Sequence, residues 1–130
     1  MPRSRGIPTA VVALFALAVA GCGSGSARGA KAEAYCRDVL QEGCVRAWDC
    51  IPPGQQSAAF TGQYGTSLEQ CLSFPNDCAK YPAACPGFDP DAGATCLSEF
   101  TNDPCGQVLI LDTNGDPTIA LPTLCGAVCP

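Results

Sequence analysis

Histidine is missing altogether from this 130-residue chain. Its absence excludes Ser-His-Asp and Cys-His catalysis, histidine-built zinc sites and histidine pH switching. Cations are scarce as well: seven Lys+Arg stand against twelve Asp+Glu, the reverse of the basic face a nucleic-acid partner requires. Only two lysines occur, Lys31 and Lys80, and no serine has a histidine to activate it. No two of the eleven cysteines have Cys-x-x-Cys spacing, which removes the thioredoxin-type redox motif and the usual zinc knuckle. No apolar run reaches the roughly 20 residues of a membrane span. Twelve prolines and fourteen glycines disfavour long uninterrupted elements. What these absences leave is one small domain with no evident catalytic apparatus; no enzyme and no cofactor are expected.

The amino-terminal segment is an address. Met1-Pro2-Arg3-Ser4-Arg5 is a short basic start, and Ile7 to Ala20 is a short, largely apolar core broken by Pro8 and Thr9. A basic start, such a core and small residues before a cut point make a secretory signal. The last four residues, Val19-Ala20-Gly21-Cys22, resemble the lipobox of bacterial lipoproteins. That resemblance implies cleavage before Cys22, diacylglycerol on the Cys22 sulfur and an acyl chain on the new amino group, so the expected partner is a membrane reached through lipid on Cys22. Gly23 replaces the aspartate that in this family marks inner-membrane retention, which implies the outer membrane if the host is Gram-negative. The segmentation expected is a signal peptide over 1–21, a lipidated cysteine with a flexible Gly/Ser tether over 22–31, and a cysteine-rich helical domain over 32–130.

Processing sharpens the numbers. Removing residues 1–21 takes Arg3 and Arg5 with it and leaves five basic against twelve acidic residues, a net charge of −7. Such a domain is repelled by anionic headgroups, so lipid must do the anchoring. Ten cysteines remain beyond Cys22, and their density is that of a disulfide scaffold. A domain this small buries only about two-thirds of its unfolded surface, and covalent links make up the deficit in an oxidising compartment. Cys36, Cys44, Cys50, Cys71, Cys78, Cys85, Cys96, Cys105, Cys125 and Cys129 are therefore expected to form five disulfides, whose pairing spacing alone does not choose.

The fold class expected is a small, disulfide-rich, mainly α domain of three to four short helices. Ala32 to Asp49 is the strongest helix, with Cys36, Leu40, Cys44 and Trp48 at four-residue spacing and the ordered ion pairs Glu33–Arg37 and Glu42–Arg46. Pro52-Pro53-Gly54 stops it, and 55–66 reads as loop, with Phe60 and Tyr64 the better candidates for an exposed contact. Ser67 and Gln70 form a capping box for a short helix through Cys71. Asp89-Pro90-Asp91 opens a third helix carrying Cys96, Leu97 and Phe100. The last two helices read as copies, because Cys71-Leu72-Ser73 to Cys78 parallels Cys96-Leu97-Ser98 to Cys105. Gly106 to Leu111 is an apolar run open to either a strand or a helix turn, and residues 123–128 suit a final turn.

Asp112-Thr113-Asn114-Gly115-Asp116 resembles the opening of a calcium-binding EF-hand loop, with Asp112, Asn114 and Asp116 as weak candidate ligands. Pro117 at the required glycine and Thr123 at the bidentate glutamate depart from it, so no metal is expected and a polar turn is favoured. Beyond the lipobox the chain resembles in style the cysteine-rich small lipoproteins of myxobacterial type. That resemblance implies a lipid-anchored envelope location and no particular activity. The function expected is a non-catalytic structural or protein-interaction module; the alternative is a small ligand binder or enzyme inhibitor using loop 55–66 or 112–123.

Overall fold

The computed structural model describes residues 23–130. The signal peptide expected over 1–21 and the lipobox cysteine Cys22 lie outside the described residues. Among the described residues the chain is mainly helical, with six α-helices, one two-stranded sheet and five disulfides. The helices are α1 (Gly23–Cys50), α2 (Ala58–Tyr64), α3 (Leu68–Leu72), α4 (Tyr81–Ala84), α5 (Pro90–Asn102) and α6 (Cys105–Val108). Strands β1 (Leu109–Leu111) and β2 (Pro117–Ile119) close the order, with a 3-10 turn at Thr123–Ala127.

The long helix α1 is the spine, and α3, α4 and α5 all pack on it. Its described part begins at Gly23, so within the stretch expected as a coil tether residues 23–31 have helical backbone. Glycine and serine are poor helix formers, and tertiary contact supplies what propensity lacks: Ala32 is fully buried and Gly29 sits over the Pro82 ring. Arg37 pairs with Glu33 as its spacing suggests. Arg46 instead passes its expected partner Glu42 and donates to the Asp103 carbonyl at the carboxyl end of α5, where orphan carbonyls accept a cation favourably.

The caps form largely as written in the sequence. Asp89 Oδ1 accepts from the Asp91 and Ala92 amides, at 2.9 and 3.0 Å, and Pro90 opens α5 without a wasted donor. Ser67 Oγ accepts from the Gln70 amide at 3.1 Å. Gln70 answers one residue further back than a capping box requires, accepting from the Thr66 amide and hydroxyl. Its side chain lies where a Cβ on Gly65 would go, 2.8 Å away, and Gly65 has φ +76°, so the α2–α3 junction needs glycine twice over.

The segment 55–66 corrects the loop expectation. Ser57 caps α2 by accepting from the Phe60 amide at 3.3 Å, and both Phe60 and Tyr64 are buried, so neither is an exposed contact. Phe60 stands edge-on to Trp48 with ring centroids 5.3 Å apart and lies 5.1 Å from Tyr64. These rings and the Cys44–Cys71 disulfide make the first of three small cores. The second gathers Ala32, Cys85, Phe88, Cys96 and Val128; the third, Cys50, Phe100 and Val108.

The disulfides organise these cores. Cys44–Cys71 is nested in sequence within Cys36–Cys78, and Cys96–Cys125 within Cys85–Cys129. Cys50–Cys105, spanning 55 residues, crosses both sets and joins them. The two sequence copies therefore differ in use. Cys71 and Cys78 both bond α1, whereas Cys105 bonds α1 and Cys96 bonds the carboxyl-terminal turn.

In the second core, Tyr35 and Tyr81 each donate a hydroxyl to a disulfide sulfur, Cys96 Sγ at 3.0 Å and Cys129 Sγ at 3.1 Å; bonded sulfur has no proton to give. Burial pushes both phenols above their ordinary value, and the neighbouring Tyr81 adds to the effect on Tyr35. The sign follows from linkage. Both groups are protonated in folded and unfolded chains below about pH 10, where the fold keeps its full stability. As pH rises through the raised folded values, the unfolded chain has already lost its protons and stability falls. We expect the urea midpoint to drop on raising the pH through this range, less steeply in Tyr35→Phe. An unchanged slope in that variant would place the alkaline weakness elsewhere.

Candidate functional site

A groove of about 440 Å³ opens between the middle of α1, the segment after α3 and the end of β2. The nested disulfide pair creates it. Cys36 and Cys44 stand two turns apart on α1, about 12 Å, and they hold Cys78 and Cys71 respectively. The chain between Cys71 and Cys78 is longer than that gap when extended, so it arches instead of lying flat. Leu72, Phe74 and Pro75 on this arch face Leu40 across the groove. Phe100, Ile119 and Leu121 line the groove as well.

Leu40 is thus a wall of the groove and not part of the core. Four residues turn a helix by about 400°, so the strict spacing of Cys36, Leu40, Cys44 and Trp48 winds slowly around α1. The face that is buried on α1 is Ala32, Cys44, Ala47 and Cys50, while Leu40 stays 49% exposed. Among the described residues six large apolar side chains stay exposed. Four of them, Leu40, Leu72, Phe74 and Leu121, line this one groove. Single exposed leucines need no explanation, but a contiguous patch marks a contact surface.

A polar relay braces one side. Tyr64 Oη accepts from the Ile119 amide at 3.1 Å and donates to Thr118 Oγ1 at 2.9 Å, and Thr118 Oγ1 in turn donates to Gln63 Oε1 at 3.4 Å. It ties α2 to β2, and the Cys44–Cys71 disulfide lines the floor. The site is therefore preformed and stiff, as small-ligand sites of roughly 300–1,000 Å³ commonly are. A smaller cleft of about 240 Å³ lies between Gly29, Ala32, Pro82 and Phe88.

The candidate calcium residues serve a turn. Asp112 Oδ1 accepts from the Asn114 and Asp116 amides at 2.7 and 2.9 Å, and Gly115 at φ +83° completes the reversal. The hairpin registers Leu109 with Ile119 and Leu111 with Pro117. The run from Gly106 to Leu111 is divided between α6 and β1. Among the described residues no cluster of three His, Cys, Asp or Glu side chains is placed to hold a metal ion. Residues 112–123, offered as a ligand loop, hold this turn, β2 and the start of the final 3-10 turn. Among the described residues no polar or charged residue is buried, and no helix is long and apolar enough to cross a membrane. Of the residues singled out in the sequence, the ten cysteines are paired and Leu40 enters the groove, whereas Phe60, Asp112, Asn114 and Asp116 do not. Sequence reading missed Leu72, Phe74 and Leu121 as groove residues; Phe74 and Leu121 each precede a proline, and Leu72 carried no signal beyond its apolar character. No protein-family model, curated protein or solved structure matches the chain.

Proposed function

We propose that this protein is an exported, lipid-anchored component of the cell envelope that works by binding and not by catalysis, with the α1–α3–β2 groove as its working face. The observation that carries the binding role is the gathering of Leu40, Leu72, Phe74 and Leu121 around one preformed groove. Of the ligand loops in the alternative reading, 55–66 buries Phe60 in the core and gives Gln63 and Tyr64 to the groove, and 112–123 closes a turn on Asp112 and gives Ile119 and Leu121 to the groove. The groove takes over that binding role.

The anchoring role rests on the lipobox Val19-Ala20-Gly21-Cys22 and is supported by the cysteine pairing. All ten cysteines from Cys36 to Cys129 are consumed in five disulfides, which leaves Cys22 as the odd one available for lipid. Gly23 next to it favours the outer membrane in a host with two membranes. The test is the intact mass of membrane-extracted protein, alkylated with and without reduction. The expected species begins at acylated Cys22 and takes up ten alkyl groups only after reduction. A Cys22→Ser change is expected to leave the precursor uncut and unlipidated. A normally acylated, membrane-bound Cys22→Ser protein would sink the anchor.

A further inference from the structure

Resting on the binding reading above, the geometry points to a single-chain anionic amphiphile of fatty-acid type as the ligand of the α1–α3–β2 groove. Arg37 receives its carboxylate, and its tail runs along Leu40, Leu72, Phe74 and Leu121. Charge is the deciding feature. The chain has twelve Asp+Glu against seven Lys+Arg, yet no carboxylate lines the groove and one guanidinium, that of Arg37, does. The one cation that lines the trough, paired with Glu33, selects for an anionic head able to take Glu33's place.

Arg37 takes that role by exchanging its partner Glu33. Its described ionic partner is Glu33 on the preceding turn, and the Arg37 side chain is 54% exposed. Exposed pairs of this kind are weak, and a guanidinium exchanges such a partner for a carboxylate it can grip with two parallel hydrogen bonds. Arg37 and Cys44 stand at opposite ends of the stretch of α1 that lines the groove, about 10 Å apart along the helix axis. Gly43 leaves the far end open: a Cβ built there meets nothing within 4 Å. The volume of about 440 Å³ falls in the small-molecule range. A second copy of the chain is a poorer occupant, because two strongly acidic surfaces repel.

The test uses the chain over 23–130, which contains every described element and all five disulfides, the bonds being checked by mass. Dodecanoate, dodecanol and dodecyltrimethylammonium, each below its micelle concentration, are titrated calorimetrically, and methyl NMR shifts locate binding. Dodecanoate is expected to bind one to one and roughly tenfold more tightly than the cationic analogue. Arg37→Gln is expected to weaken dodecanoate by a similar factor and leave dodecanol unchanged. Gly43→Leu, which fills the trough and favours the helix, is expected to abolish all binding. Equal affinity for the two charged heads, or loss of dodecanol binding in Arg37→Gln, overturns the ligand class. Dodecanoate binding that survives Gly43→Leu places it outside the groove and overturns it too. If only dodecanol or the cation fills the groove, or if sedimentation shows a dimer that Gly43→Leu breaks, the anionic ligand is rejected while the binding reading stands. A monomer that binds none of the probes ends both.

Discussion

Replacing the joining bridge, Cys50→Ala together with Cys105→Ala, is expected to cost about 3–4 kcal/mol of unfolding free energy. The bridge closes a 55-residue stretch, for which chain entropy alone gives about 4 kcal/mol, less where other bridges already shorten the slack. The other four disulfides stay within one nested set or the other, so their cross-links do not substitute for it. Against a total of about 5–15 kcal/mol for a domain, this is the largest single covalent contribution in the molecule. Guanidinium unfolding of the oxidised double variant measures it, and hydrogen exchange shows where it acts. Protection should fall around Phe100 and Val108, the core that Cys50 completes. A loss below about 1 kcal/mol with one cooperative transition would show that packing, and not this bond, holds the two sets together.

The second large effect is expected at Phe60. Phe60→Ala should destabilise by about 3–5 kcal/mol, because the ring is 2% exposed and lies between Trp48 and Tyr64. No disulfide begins or ends in α2, so nothing covalent limits the damage there. Trp48 fluorescence reports directly on the lost edge-on contact, and denaturant midpoints give the energy. A change under about 1 kcal/mol would mean that α2 lies on the surface as a loop, as its sequence first suggests.

The contrast between α5 and α2 shows what local sequence carries. The Asp89-Pro90 cap is complete within four residues, so it is legible without knowing the neighbours. Ser57 and Gly65 bracket α2 in the same way, but only Phe60 and Tyr64 supply an apolar face between them, too little to show a period. Their burial depends on Trp48, Cys44 and Cys71, which come from elsewhere in the chain. The Asn114-Gly115 turn is legible because its hydrogen bonds close on Asp112. Disulfide number followed from composition, while pairing depends on how α1 presents Cys36, Cys44 and Cys50 around its circumference. The groove was not legible. Its walls come from five separate stretches between Arg37 and Leu121, and the regular spacing of Leu40 argued for the opposite environment.

The nesting of the bridges also decides how the molecule carries load. A pull applied between α1 and the last residue enters the framework at Cys36, passes through sulfur to Cys78, follows the backbone to Cys85 and leaves through sulfur at Cys129. Between the first and last of these cysteines, only the Cys78–Cys85 segment can be drawn out, to a length of about 25 Å when taut. Everything else, the groove included, lies off the line of tension. For a protein held at one end, most of the folded core is mechanically a side branch, and a tug on the chain is spent first on α4 and Tyr81 and spares the groove.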